Sequence, residues 1–144
     1  MAPMRWATDL KLRGTWSLAA ANAKVSLDHR ARRRHRGALV TDNGEELVLD
    51  LPRAIPMADG DGLKCNDGTY VLVRAKVEPC FRLICDDPAV LLRLSWAIGR
   101  RGVPIAVVDG ALIVPADPAV ADIAGASGAA IEAIDLAFEP DTAE

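Results

Sequence analysis

The sequence predicts a chain of two domains, a small all-β domain over residues 1–78 followed by a smaller α/β domain over residues 79–144. Two observations favour this division. The first half places alternating apolar segments around Gly-containing turns and shows no helical period, whereas the second half repeats the motif Asp-Pro-Ala-Val at residues 87–90 and 117–120. A length of 144 residues allows one ordinary domain or two small ones, so the patterns decide.

The first domain is predicted from two β-hairpins. Asp42-Asn43-Gly44 lies between two apolar segments, and Asn-Gly is the strongest short hairpin signal because both turn positions need positive φ. A second hairpin is predicted around Asn66-Asp67-Gly68. Trp6 and Trp16 are expected to anchor the first strands in the β core. The four predicted hairpin strands are residues 39–41, 47–51, 62–65 and 70–77.

The second domain is predicted from a βαββαβ order of elements. Asp87-Pro88 and Asp117-Pro118 each supply a carboxylate at the N-cap and a proline at the first helical position. The apolar stripe Leu91, Leu94, Ile98 marks one face of the first helix, which Gly99 is expected to end. This order, with one cap chemistry used twice, indicates a ferredoxin-like fold. The remaining predicted elements are a strand at residues 81–85, a hairpin at 103–108 and 111–114, and a strand at 130–138.

Composition and charge exclude several classes of protein. With 51% hydrophobic residues and 4% aromatic residues, the chain can bury an aliphatic core. No apolar run approaches the roughly 20 residues that span a bilayer, and no signal peptide is recognisable, so we expect a cytoplasmic protein with no membrane partner. Three cysteines, Cys65, Cys80 and Cys85, are an odd number and are expected to be reduced.

Charge is distributed unevenly along the chain, whose net charge is −3. Residues 1–36 carry nine Lys and Arg against Asp9 and Asp28, whereas residues 102–144 carry eight acids and no Lys or Arg. Such a split argues against nucleic acid as the main partner. The segment Arg30-Arg36 is interpreted as an exposed, solvated edge strand. The alternative, a nucleic-acid-binding module, lacks the aromatic side chains on which bases stack.

One segment, residues 25–62, resembles a known family. It contains an Asp-His-Arg and Arg-Arg-Arg run, the Asp42-Asn43-Gly44 hairpin, Leu49-Asp50-Leu51-Pro52-Arg53, and Asp59-Gly60-Asp61-Gly62. This pattern resembles the amino-terminal domain of the urease accessory protein UreE family. The resemblance continues through residues 95–101, Ser-Trp-Ala-Ile-Gly-Arg-Arg, and spans about Met4 to Pro140.

The resemblance implies a β domain followed by a ferredoxin-like domain, as the patterns predict. It further implies a non-enzymatic accessory protein that carries nickel as cargo for urease metallocentre assembly. The implied assembly is a homodimer through the ferredoxin-like half. Implied partners are the urease apoprotein and the other urease accessory proteins, including the maturation GTPase. Trp96 lies outside the buried helical stripe, where it can cover a dimer surface.

The sequence does not identify the residues that bind the metal. At the position of the family's nickel-binding histidine stands Gly102, which has no side chain to offer. His29 and His35 are six residues apart, about 120° around a helix or about 20 Å along a strand, so we expect two exposed histidines that do not share an ion.

The other potential ligands are equally weak. Cys80 and Cys85 are expected on opposite faces of a strand, and Cys65 as a small buried side chain. Asp86, Asp87 or backbone amides near the dimer seam are further possibilities for weak nickel binding. A metal-independent assembly scaffold is the alternative function. The Asp59-Gly60-Asp61-Gly62 segment is expected to be a turn and not a calcium loop, since no closing Glu follows. The histidines lie far in sequence from any nucleophile, so catalysis is not expected.

Overall fold

The computed structural model describes residues 4–141, and the chain divides into two compact units between Lys76 and Val77. Residues 1–3 and 142–144, which the two predicted domains include, lie outside the described part. Val77 and Glu78, predicted at the end of the first domain, form the start of the first strand of the second unit. The strands are β1 (Arg5–Lys11), β2 (Ala21–Leu27), β3 (Arg36–Val40), β4 (Glu46–Asp50), β5 (Gly62–Cys65), β6 (Tyr70–Ala75), β7 (Val77–Ile84), β8 (Ala106–Val108), β9 (Ala111–Pro115) and β10 (Ala130–Ala137), and the helices are α1 (Pro88–Arg100) and α2 (Pro118–Ala126).

The first unit is a single six-stranded sheet in the order β2-β6-β5-β1-β4-β3. The β3–β4 and β5–β6 hairpins are antiparallel, as predicted. Two further pairs, β1 with β4 and β2 with β6, are parallel and join segments distant in sequence. The core is aliphatic, as the composition predicted: Ala7, Val25, Leu27, Leu39, Leu47, Leu49, Leu51, Met57, Leu63, Cys65, Val71 and Val73.

The tip of the first hairpin closes the sheet. The backbone N–H of Asp42 donates to the carbonyl of Lys24 at 2.8 Å, and the Asp42 carboxylate accepts the N–H of Ser26 at 3.0 Å. Both bonds reach β2, the strand at the far edge of the sheet. The sheet is therefore curled, because its hairpin at one edge contacts its opposite edge.

The two tryptophans of this unit behave differently. Trp6 is 43% exposed, so the prediction that it anchors the core is wrong; its neighbour Ala7 points inward instead. Trp16 is half-buried and stacks on Tyr70 with 5.5 Å between ring centroids. Its Nε1 donates to the carbonyl of Gly60 at 3.2 Å. The indole thus ties the chain after β1 to the turn before β5.

The Asp-Gly-Asp-Gly segment is a turn built on carboxylate-to-backbone bonds. Asp61 is 2% exposed, and its two carboxylate oxygens accept the N–H groups of Arg13 and Ala58, each at 2.8 Å. Asp59 accepts the N–H of Ala75 at 2.9 Å. The segment is therefore a turn, as predicted, and its carboxylates stabilise it.

The second unit has the predicted βαββαβ order and a four-stranded antiparallel sheet, β10-β7-β9-β8, which is the ferredoxin-like arrangement. Two apolar clusters lie in this unit. The cluster containing the helices comprises Leu83, Leu94, Ile98, Leu112, Val114, Val120 and Ala124. The other comprises Cys80, Ala106, Ile113 and Phe138.

Both helices begin as the sequence predicted. The carboxylates of Asp87 and Asp117 accept the N–H groups two residues on, at Ala89 and Ala119, each at 2.9 Å. Helix α1 ends at Arg100, one residue beyond the predicted Gly99. The residue that adopts the left-handed conformation after the helix is Gly102, with φ +76°.

Candidate functional site

The end of α1 is the position where the resemblance places a metal ligand. Gly102 is exposed, and its N–H donates to the carbonyl of Gly99 at 3.0 Å. A Cβ added at Gly102 meets no heavy atom within 4 Å. The position can therefore hold a larger side chain without a clash, although its positive φ favours glycine.

The outer face of α1 exposes large apolar side chains. Leu92 is 71% exposed and Trp96 is 64% exposed, while Leu94 and Ile98 of the predicted stripe are buried. The guanidinium carbon of Arg100 lies 5.2 Å from the centre of the Trp96 ring, a cation–π contact. A shallow groove beside Trp96 is lined by Val90, Arg93, Ala97 and Ser127.

The two histidines do not occupy the exposed strand or loop that was predicted for both. His29 is 7% exposed, so the prediction of an exposed side chain is wrong for this residue; His35 is half-buried. The chain between them turns at a short 3₁₀ segment, Ala31–Arg33, where no turn was predicted. Asp28 is the residue in the sequence that could have indicated this turn, because its carboxylate accepts the N–H of Ala31 at 2.8 Å and so starts the turn.

Arg32 corrects the interpretation of Arg30-Arg36 as a solvated edge strand. Only Arg36 lies in a strand, and Arg32 is 3% exposed. Its Nε donates to the carbonyl of Leu27 at 3.2 Å, and its own carbonyl accepts the N–H of Met57 at 2.8 Å. Buried Arg32 therefore ties the 3₁₀ segment to the chain before β5.

The other arginines of residues 30–36, together with Arg53, are exposed, and we call this set the arginine strip. The chain from Leu51 to Met57 is held at both ends to residues 32–35, since the N–H of Leu51 donates to the carbonyl of His35 and the N–H of Met57 to that of Arg32, each at 2.8 Å. Arg36 lies 3.6 Å from Asp50, and both side chains are largely exposed, so this ion pair contributes little. The strip comprises Arg30, Arg33, Arg34, Arg36 and Arg53, all exposed.

The three cysteines are free thiols. Burial raises the pKa of Cys65, and burial together with the carboxylates of Glu78 and Asp135 raises the pKa of Cys80 to about 11. Thiolate is the metal-binding form, so neither thiol is a ready ligand near neutral pH. Cys85 follows the end of β7 and is half-buried, so the prediction that it shares a strand with Cys80 is wrong.

The acidic candidates divide by role. Asp86 is exposed, whereas the carboxylate of Asp87 caps α1. Within residues 4–141, no three side chains of His, Cys, Asp or Glu converge as a metal site.

Among residues 4–141, neither α1 nor α2 has the length and apolar run that a membrane-spanning helix requires.

Comparison with known proteins identifies the family. The family model described as "UreE urease accessory protein, N-terminal domain" matches residues 7–76, and the corresponding C-terminal domain model matches residues 78–144. The matched ranges meet at the boundary between the two units of the fold.

Three relatives, each named urease accessory protein UreE, support the match. The protein from Ectopseudomonas mendocina (strain ymp) is 38% identical over 124 residues, which are 85% of this chain and 75% of the relative. The protein from Chelativorans sp. (strain BNC1) is 36% identical over 117 residues, 81% of this chain and 74% of the relative. The protein from Azorhizobium caulinodans is 35% identical over 117 residues, 81% of this chain but only 56% of the relative, which is thus considerably longer than the matched part. The chain belongs to the UreE urease accessory protein family.

Proposed function

We propose that this protein is a non-enzymatic accessory factor that assists nickel delivery to urease and assembly of the urease metallocentre, with nickel as cargo. The observation that carries the proposal is the match of both halves, in order, to the two UreE domain models. The free thiols agree with a cytoplasmic location, where cysteines stay reduced. The partners proposed are the urease apoprotein and the other urease accessory proteins, including the maturation GTPase.

Activation of apo-urease by purified accessory proteins tests this function. At limiting nickel, we expect activation to fall when this protein is left out and to recover when nickel is raised to excess. Unchanged activation at limiting nickel would contradict the proposal.

A metal-independent scaffold is the second candidate, favoured by Gly102 and by the lack of a converging ligand set within residues 4–141. A scaffold predicts that excess nickel does not replace the protein.

We propose a homodimer through α1, because the exposed Leu92 and Trp96 need an apolar cover. A second copy of the same helix can supply it around a twofold axis. Trp96→Glu should shift the chain from dimer to monomer in sedimentation velocity. Leu12→Glu is the control, since Leu12 is 57% exposed in the other unit and should leave the dimer intact.

Placing a histidine at the end of α1 tests whether the dimer seam passes there. His tolerates positive φ better than most residues, and the site is open, so Gly102→His is expected to fold. Two imidazoles facing each other across the seam should tighten nickel binding in calorimetric titration. Gly102→Asn, which accepts the same backbone conformation, should not. An unchanged titration for Gly102→His would reject this placement of the seam.

The arginine strip is proposed to contact an acidic surface of a urease assembly partner, because five exposed guanidinium groups steer association with acidic proteins. Arg30→Glu with Arg33→Glu should slow association with that partner, most at low salt. The alternative role in nucleic-acid binding requires a salt-dependent shift with duplex or single-stranded DNA. Burial of Arg32 removes one of the guanidinium groups on which that alternative depended.

A further inference from the structure

The two edges of the second unit's sheet differ in how their backbone groups are covered. At the β8 edge, the N–H of Asp141 donates to the carbonyl of Ile105 at 2.7 Å, and the Asp141 carboxylate accepts the N–H of Val107 at 3.1 Å. One residue near the end of the described chain therefore protects this short strand. The opposite edge is β10, which is eight residues long.

The β10 edge has no bulge, Lys or Pro, three of the features that usually prevent strand addition. All eight residues pair with β7 in one unbroken register, from Ala130 opposite Ile84 to Ala137 opposite Val77, so no bulge interrupts the strand. The strand contains no Lys and no Pro, and six of its eight residues are exposed. Within residues 4–141, no backbone bond from outside β7 reaches residues 130–137. Such an edge is a template for another strand.

Charge indicates which kind of strand fits. Strands β7 and β10 together carry Glu78, Glu132 and Asp135 against the single base Arg82. Antiparallel pairing of β10 with a second copy centred between Ala133 and Ile134 would set Glu132 opposite Asp135, and like charges directly opposite are destabilising. An extended segment with Lys or Arg at these positions gains attraction instead. Side chains alternate along a strand, so Glu132 and Asp135 face opposite sides of the sheet.

We propose that the β10 edge is a docking site at which an extended basic segment of a partner protein adds as a fifth strand. Backbone hydrogen bonds to the open edge supply the affinity, and Lys or Arg side chains near Glu132 and Asp135 select the partner. The residues of this site are not those of the exposed face of α1 or of the arginine strip, and the docking does not depend on nickel.

A peptide titration of the full chain tests the docking site. The probe is a capped eight-residue peptide of alternating Val and Thr with two Lys three positions apart, which matches the spacing of Glu132 and Asp135. Amide hydrogen exchange, followed by NMR, should show new protection at residues 130–137. Replacing both Lys of the peptide with Glu, or two interior residues with Pro, should weaken binding at least tenfold.

The protein variant Glu132→Lys with Asp135→Lys provides the matched charge swap. Both positions are exposed, so the variant should stay folded, although Glu132 pairs with Arg82 of β7 and a cation there should lower the urea midpoint somewhat. The variant should prefer the Glu peptide to the Lys peptide. Absence of protection in β10, equal binding of the Lys and Glu peptides, or full binding of the Pro peptide would overturn the proposal. A change in sedimentation of the variant alone would also overturn it, since a second copy would then occupy this edge.

Discussion

The indole ring of Trp16 lies against Gly62 and leaves no room for a side chain at this position. A Cβ at this position would lie 2.5 Å from Cε2 and 2.8 Å from Cδ2 and Cζ2 of Trp16. Gly62→Ala must therefore displace the ring from Tyr70 and from the carbonyl of Gly60. Overpacking of this kind costs roughly 1–3 kcal/mol in the free energy of unfolding, which urea denaturation followed by circular dichroism measures.

Gly125→Ala is the control for this substitution. Gly125 lies inside α2, and its added Cβ meets nothing within 4 Å. Because alanine favours a helix over glycine by about 1 kcal/mol, this variant should be as stable as the parent or more stable. A similar loss of stability in both variants would show that contact with the indole is not the cause.

The raised pKa of Cys80 predicts that the folded protein loses stability at high pH. Its pKa is about 11 in the folded chain against 9.0 as the ordinary value, so the thiol stays protonated in the folded state while the unfolded state ionises. The contribution of the protonated Cys80 thiol to the free energy of unfolding is complete below pH 9 and is lost as pH rises towards 11. We expect the parent to lose on the order of 2 kcal/mol more than Cys80→Ala over this interval.

Denaturation at a series of pH values measures this difference. Cys80→Ala has its own constant cost from the lost packing, so the slope with pH and not the offset is the readout. Cys65 also has a raised pKa and contributes the same slope to parent and variant. Parallel curves for parent and Cys80→Ala between pH 9 and pH 11 would contradict the assignment.

Burial of single residues was the part of the fold that the sequence predicted least well. Arg32 is buried because its side chain reaches the carbonyls of Leu27 and Met57, and Met57 lies 25 residues away, so no local pattern shows it. Trp6 is exposed because pairing of β1 places Ala7 inward, and alternation gives two faces without saying which one is buried.

At the scale of elements, the N-caps explain why both helices were predicted at their first residue. The carboxylates of Asp87 and Asp117 each accept an N–H two residues on, a contact within one turn that the sequence displays directly.

Asp87→Ala and Asp117→Ala should each destabilise the chain by about 1 kcal/mol in urea denaturation, and Asp87→Asn should retain most of the stability. Asp86→Ala is the matched control, because Asp86 is exposed and does not cap the helix. A loss from Asp86→Ala equal to that from Asp87→Ala would remove the cap as the explanation.

Elements whose pairing is local were predicted, and elements whose pairing is distant were not. The β3–β4 and β5–β6 hairpins follow from their turn residues. The parallel pairs β1–β4 and β2–β6 bring together residues about 40 and 50 positions apart, such as Arg5 with Leu47 and Ala21 with Tyr70. No turn residue marks such pairs, so the strand order of the first unit had to come from the structure.

At the scale of the whole molecule, the position of the metal site stays a prediction, and its chemistry was not predicted. The motif around residues 95–101 places the site at the end of α1, where Gly102 is exposed. The ligands could not be predicted, because in the proposed homodimer they would depend on an assembly that one sequence does not encode locally. His29 and Cys80 were candidates by residue type only, and the fold buries both.

The division of the chain into two units predicts that the first folds by itself. All members of its apolar cluster lie between Ala7 and Val73, and Lys76 donates its N–H to the carbonyl of Leu27 at 2.9 Å, so a cut after Lys76 leaves these contacts intact. A fragment of residues 1–76 should therefore keep its strand signal in circular dichroism and unfold cooperatively in urea, although a domain this small is only marginally stable. A fragment ending at Gly68 is the control, because it lacks β6, the strand that joins β2 to β5 in the sheet. If both fragments were equally unfolded, the first unit would depend on the second, and the two UreE-type domains could not be treated as independent folding units.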